Sequence, residues 1–339
     1  MKPRARKREL LLNNMKLQSP IIVPSFSSRA KPPLSLKYFL KNTLASIDGS
    51  ILVSAYDVFH RRGLEDYDFN DEISKEAPFL VFLDSGGYEL IWNKDAVDAG
   101  ILPKENAPIW TPKEYQKVLE SWPENVPLIA TSFDNPLNSQ PSIEKQIDAA
   151  KDLASLFPKI SVNFLIKPPS DEAGKNTKTL ELPDISPFVE HLKDFPLIGV
   201  TEQEIGVTMK DRLNFLIGLR DLLEDAGLDM PIHVFGGLDP QMTPLYFLAG
   251  ADIFDGLSWL RYAFHDGKSL YDQGFISTEY PHDPIREARW GIRNKNILAL
   301  IELEISMKKY LRDGDIQDAF GVHGTDIQSA WDRIWAEEY

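Results

Sequence analysis

Two short stretches, Leu83-Asp84-Ser85-Gly86-Gly87-Tyr88 and Asp252-Ile253-Phe254-Asp255-Gly256-Leu257, lie about 170 residues apart, and each ends an apolar, strand-like run on an aspartate. Two such acids facing each other across a pocket could split a glycosidic bond, one as nucleophile and the other moving protons. Ser132-Phe133-Asp134 supplies a third acid in the same setting. A lone aspartate after a strand usually caps the following helix, and Asp239 and Asp266 are read in that way. Asp84, Asp134 and Asp255 stand apart because they close three different strands, two of them beside glycines. Ser85-Gly86-Gly87 offers backbone N–H groups with no bulky side chains in the way, so a flat ligand could approach the main chain. Tyr88 could stack on such a ligand and Phe235 could cover its other face, core packing being the alternative for Phe235.

The elements that would position these groups alternate between short apolar runs and longer amphipathic ones. Strands are expected at Ser50 to Tyr56, Phe79 to Asp84, Pro127 to Phe133, Ile160 to Ile166, Pro196 to Val200, Pro231 to Phe235 and Ala251 to Leu257. An eighth is placed at Gln273 to Thr278. Helical patterns run from Met209 to Ala226, Pro240 to Ala249, Arg289 to Tyr310 and Asp326 to Trp335. Polar loops are read at Glu65 to Ala77 and Pro168 to Asn176. Repeated strand–helix order predicts an α/β protein, a single (β/α)8 barrel of the TIM type, in which the strand ends present side chains at one mouth. Residues 1–20 form a basic N-terminal extension in this reading, 21–285 the barrel, and 286–339 a helical extension packed on it.

Composition narrows the chemistry. The 339 residues hold no cysteine, which excludes disulfides, thiolate metal sites and a cysteine nucleophile. The six histidines show no i, i+4 pair, and no Walker A loop or strand-borne GxGxxG is present. No metal or cofactor is therefore expected. The net charge of −14 argues against phosphate binding on average. Local basic runs at residues 2–8 and 286–312 leave open a cationic strip on an acidic body, solvated helix faces being the other reading. No apolar run reaches membrane-spanning length, and the expected location is the cytoplasm.

With these residues in place, the chain resembles the tRNA-guanine transglycosylase superfamily from about Ile21 to Arg261. Ile51-Leu52-Val53-Ser54-Ala55-Tyr56-Asp57 through Arg61-Arg62-Gly63 is similar to the family's ILxNTYHL…RPG stretch, and Asp84 to Tyr88 matches its DSGG(F/Y) motif. Ser132-Phe133-Asp134 resembles the strand end carrying the base-reading aspartate. Val234-Phe235-Gly236 through Asp255 resembles the segment ending in DMFD, and Arg261 falls on the arginine of the PTR motif. The resemblance implies a pentosyltransferase that exchanges guanine in a polynucleotide for a free 7-deazaguanine base. Asp255 would be the nucleophile, Asp84 would take a proton from the incoming base, and Asp134 would read the guanine edge. Ser85, Gly86, Gly87, Tyr88, Phe235, Gly236 and Arg261 would complete the substrate site. Gly199-Val200-Thr201, with Glu202 and Glu204 nearby, would contact the base substituent. The target base would have to leave its stack.

Departures from the family pattern bear on the polymer. The classical bacterial enzymes carry a zinc site of three cysteines and one histidine, which this chain cannot build. Ser54 replaces an asparagine, Glu89 a glutamine and Gly256 a cysteine, and Phe164 to Pro168 does not reproduce QGG. These features resemble the zinc-less branch that inserts 7-deazaguanines, 7-cyano-7-deazaguanine among them, into DNA, with room for partner proteins that open the duplex. An atypical transglycosylase acting on tRNA is the nearest alternative. A noncatalytic nucleic-acid-binding barrel and a retaining glycoside hydrolase are the others.

Overall fold

The chain opens with an antiparallel hairpin, β1 (Glu9–Leu12) and β2 (Met15–Gln18), whose Leu10 is buried while its neighbours face solvent. In this computed structural model the residues described are all but 13–14, 30–34, 45–46, 48, 76–79, 91–109, 137, 172–178 and 337–339. Eight strands follow the hairpin: β3 (Ile21–Phe26), β4 (Ser50–Ser54), β5 (Leu80–Asp84), β6 (Leu128–Thr131), β7 (Ser161–Leu165), β8 (Leu197–Thr201), β9 (Ile232–Phe235) and β10 (Ile253–Gly256). All pair in parallel and close into a barrel in the order β10-β3-β4-β5-β6-β7-β8-β9. A second hairpin, β11 (Tyr262–His265) and β12 (Lys268–Tyr271), leads away from the last barrel strand.

The seven main strand expectations each overlap a barrel strand, although Ala55 and Tyr56 of the first begin the helix Ala55–His60, and Phe79 lies outside the described residues. The eighth does not. Gln273 to Thr278 sits in the helix Asp272–Glu279, and the missing strand is β3 at the start of the chain. Pro24 interrupts the apolar run of β3 and removes a ladder donor, which masks a strand in the sequence. The helix is favoured instead at Asp272, whose buried carboxylate pairs with Arg293 at 3.0 Å and Arg289 at 3.3 Å. Two smaller expectations also change. Phe69–Lys75 is helical within the expected Glu65 to Ala77 loop, and Asp266 occupies the turn of the β11–β12 hairpin with φ of 47° rather than a helix cap. Residues 172–176 of the expected loop after β7 lie outside the described residues.

Side-chain alternation separates two apolar layers. Ile21, Val23, Leu52, Leu80, Phe82, Ile129, Leu165, Leu197, Phe235 and Ile253 fill the barrel interior, joined from below by Leu10 of the hairpin. Ile51, Val53, Val81, Leu83, Ala130, Ile198, Val200, Val234 and Phe254 face outward into the layer shared with the helices. Inward positions one step beyond the interior layer, at the carboxyl ends of the strands, form the mouth, and Asp84 and Asp255 occupy two of them.

The basic N-terminus is a clamp on the opposite end. Arg4 pairs with Asp221 at 3.1 Å and Arg6 with Asp229 at 2.6 Å, while the buried Arg8 reaches Asp252, Glu224 and Asp229. Asp252 also accepts from Arg220 at 2.6 Å, from the Ser19 hydroxyl and from the Ile232 N–H, both at 2.9 Å. Burial lowers the pKa of Arg220 to about 10, with Asp252 working the other way, so the guanidinium stays charged at neutral pH. The second basic run is similarly engaged. Arg289 and Arg293 hold Asp272, Lys308 pairs with Glu304 and Lys309 with Asp318. That run lies on the 29-residue helix Ile285–Asp313, whose buried Asn296 binds the segment after β10 by accepting from Phe264 N and donating to the Trp259 and Tyr262 carbonyls. The helix Gly324–Trp335 follows, its Trp331 indole donating to the Met1 carbonyl at 3.1 Å. No helix among the described residues is long and apolar enough to cross a membrane.

Candidate active site

Strands β5, β6 and β10 carry the expected acids to the mouth, and the barrel order β10-β3-β4-β5-β6 sets them on one arc. Asp84 ends β5, and its Oδ2 accepts from the Gly86 N–H at 3.0 Å. That bond requires a tight turn, and Gly86 takes it with φ of 92°; a Cβ there would stand 2.7 Å from Tyr56 Cβ. The next glycine is required for a different reason. A Cβ on Gly87 would lie 2.6 Å from a carboxylate oxygen of Asp134, so the loop after β5 and the strand end of β6 touch only because that position is bare. The buried Ser85 donates its hydroxyl to Asp134 Oδ1, and its carbonyl accepts from the Trp110 indole at 2.8 Å. Ser85 and Gly87 thus orient the acid expected to read the base.

Burial drives the pKa of Asp84 well above the usual carboxylate range, and Glu89, Asp134 and, less strongly, Asp255 push the same way. Asp84 is therefore biased toward its protonated form relative to an ordinary carboxyl. Glu89 is itself buried and accepts from the Ser27 hydroxyl at 2.9 Å and the Ser54 hydroxyl at 2.7 Å. Two departures from the family pattern, Ser54 and Glu89, are consequently one hydrogen-bonded unit, with Ser54 in register beside Asp84. Asp57 lies close by, pushed up to about 8 by burial and by Glu89, and accepts from Ser28 through both carboxylate oxygens.

Asp255 ends the inward face of β10 with its carboxylate fully oriented. Oδ1 accepts from His233 Nε2 at 3.1 Å and from the Gly236 N–H at 3.2 Å, and Oδ2 accepts from the Ser25 hydroxyl at 2.7 Å. His233 is buried, held on its other side by Asn163 at 2.9 Å. Phe235 stacks on the His233 ring at 4.0 Å and remains only 8% exposed, so its packing role in the barrel is met. Gly199 makes room for that ring, since a Cβ there would fall 2.5 Å from Phe235 Cε2. Alanine at Gly199 is expected to cost about 1–3 kcal/mol by overpacking, measurable as a lowered urea midpoint; an unchanged midpoint would show that Phe235 can move freely.

The two motifs are joined directly. Arg261, four helical residues beyond β10, donates to the Tyr88 hydroxyl at 2.6 Å and lies over its ring. Val200 is the expected site residue that the alternation turns away, into the outer apolar layer. Thr201 faces the site and accepts from Lys167 at 3.4 Å.

Lys167 was not among the expected site residues. It follows β7, 2.7 Å from Glu204 and 3.8 Å from Asp134. Burial opposes its charge, yet Asp134, Glu204 and Asp84 outweigh it and raise its pKa. It lies in the stretch where QGG is missing, and that mismatch was the available signal. A cavity of about 370 Å³ opens beside Asp134 and Lys167 between the helices Pro112–Glu120 and Ile143–Leu156. His233, Asn163 and Ser25 were likewise unassigned; their alternate, inward strand positions are the feature that reveals them. Among the described residues no three His, Asp or Glu side chains could hold a metal ion, and with no cysteine the classical zinc site does not fit this chain.

Fold and site together define a closed parallel β/α barrel with carboxylates at its mouth. Over 112 residues the chain is 31% identical to the tRNA-guanine(15) transglycosylase of Haloferax volcanii, a match covering 27% of this chain and 21% of that protein. The match supports the superfamily resemblance, and the chain spans only about a fifth of that relative's length. No protein-family profile matches the chain.

Proposed function

We propose that this protein is a base-exchange transglycosylase that replaces guanine in a polynucleotide with a 7-deazaguanine through a covalent aspartyl-glycosyl intermediate. The observation that carries this reading is the division of labour among three acids on one arc: Asp255 oriented by three donors, Asp84 biased toward its protonated form, and Asp134 oriented by Ser85.

In the first half-reaction an Asp255 oxygen attacks C1′ of the target nucleotide. The bond from C1′ to N9 breaks, and its electron pair leaves with guanine, which takes the Asp84 proton. In the second, the Asp84 carboxylate removes the N9 proton of the incoming base, N9 attacks C1′, and the ester electron pair returns to Asp255. Protons balance across the cycle, and two inversions retain the sugar configuration. Asp134 accepts from the N1–H and exocyclic amine that guanine and 7-deazaguanines share. Holding the sugar on the enzyme keeps the polymer from being left without a base while the two bases trade places.

DNA is the first choice of polymer, from the absence of cysteine for a zinc site and the Gly199-Val200-Thr201-Glu202 form. RNA is the second reading, favoured by the name of the relative. Incubation with labelled 7-cyano-7-deazaguanine and either duplex DNA, single-stranded DNA or total tRNA tests both. Label is expected in DNA; label confined to tRNA would move the activity to RNA, and label in no polymer would overturn base exchange.

A further inference from the structure

Within this base-exchange reading, the hydrogen bonds around Asp255 are unequal in a way that distinguishes its two oxygens. Oδ1 accepts two donors, His233 Nε2–H and the Gly236 N–H, which fill its two lone-pair sites. Among the described residues Oδ2 accepts one, the Ser25 hydroxyl, and keeps a lone pair. We propose that Oδ2 is the atom that attacks C1′, and that His233 is a positioning residue which holds Oδ1 as the carbonyl oxygen of the glycosyl ester and receives the returning charge when the ester breaks.

The proton on His233 follows from its partners. Nε2 faces a carboxylate oxygen, which can only accept, so Nε2 carries hydrogen whichever way the Asn163 amide is turned. The Asn163 amide nitrogen stands 2.9 Å from Nδ1, the arrangement in which Nδ1 accepts and Nε2 carries the hydrogen. Its faces leave little freedom. Phe235 stacks at 4.0 Å and Phe82 meets it edge-on at 5.4 Å, while Asn163 and His233 are both fully buried. Asp255 is the charged group in direct contact with the ring among the described residues. A fixed donor in a water-poor barrel requires no reorganisation as charge moves on and off Oδ1, and one such donor is commonly worth 10²–10³-fold in rate.

During attack, the Oδ2 lone pair forms the bond to C1′ while guanine departs with the bond electrons and a proton from Asp84. Oδ1 then becomes the ester carbonyl, still held by His233 and Gly236. When the incoming base displaces the ester, the bond electrons return to the carboxylate and the charge spreads onto Oδ1, where two donors wait. Ser25 acts differently. Its hydroxyl bonds the attacking atom before reaction and has to yield part of that bond as C1′ approaches, so its removal costs less.

Three variants test this in the base-exchange assay, with the wild-type rate as the reference. His233→Leu is expected to lower kcat by about 10²–10³-fold with the KM for free base within about twofold, because the base is held at Asp134. His233→Gln restores an N–H donor and should recover to within about tenfold of wild type, and Ser25→Ala should lose about tenfold or less, both as fractions of the donor effect. Thermal melting establishes that each variant is folded, and the Gln variant carries the test if the Leu variant is not. A His233→Leu rate near wild type, a Gln variant as slow as the Leu variant, or a Ser25→Ala loss equal to that of His233→Leu would each overturn the assignment. Absence of exchange by the wild-type protein would instead overturn the underlying function.

Discussion

Asparagine at Asp255 is expected to abolish covalent capture of the polynucleotide and to lower base exchange by roughly 10⁴–10⁶-fold, the scale on which enzymes lose rate with their nucleophile or its partners. The substitution is close to isosteric, and the amide oxygen can still accept from His233 and Gly236. The fold around β10 should therefore survive, and a melting temperature near that of wild type would show it. The amide lacks the charge needed to attack C1′ and to leave again. A labelled polynucleotide resolved on a denaturing protein gel reads the capture directly, as a shifted band for wild type and none for Asp255→Asn. Undiminished exchange by this variant would remove Asp255 from the chemistry.

At the other end of the same strand, Asp252→Ala is expected to destabilise the protein by about 3–5 kcal/mol, because it leaves buried cations without their shared counter-charge. Arg8 and Arg220 are both fully buried against this carboxylate, and the Ile232 N–H and Ser19 hydroxyl lose an acceptor as well. Arg8 retains Glu224 and Asp229, whereas Arg220 keeps only backbone carbonyls among its hydrogen-bond acceptors in the described structure. Urea denaturation measures the loss. A cost below about 1 kcal/mol, the range of exposed ion pairs, would mean that water enters the cluster.

The four residues from Asp252 to Asp255 illustrate what sequence makes legible. Both acids flank an apolar strand, so both look alike along the chain. Their different duties come from the direction of the strand, which sends one to the closed end of the barrel and the other to the mouth. Strands β4 to β10 could be read because each is a short, mostly apolar run set apart by helical or polar segments. Strand β3 could not, since Pro24 breaks its pattern and its partners are at the far end of the chain. The acids Asp84, Asp134 and Asp255 could be read from strand ends and glycines. His233 could not be recognised by testing for metal-ligand spacing, because its contacts, Asn163 and Asp255, stand 70 and 22 residues away and create a hydrogen-bond relay instead. Val200 was assigned with its neighbours Gly199 and Thr201, although strict alternation turns it to the opposite face of the sheet.

The hairpin beneath the barrel also bears on the order in which the protein can be made. Arg8 and Ser19 are synthesised well before their partner Asp252, which lies 244 and 233 residues downstream, and β3 must await β10 before the sheet can close. Contacts of such long sequence separation form late and slowly. Without the β10–β3 pairing the sheet has two unpaired strand edges, one of them on β3. The arginine clamp can close fully only once Asp252, at the foot of the Asp255-bearing strand, has been synthesised, so closure of the barrel and completion of the mouth become a single late event in the life of each chain.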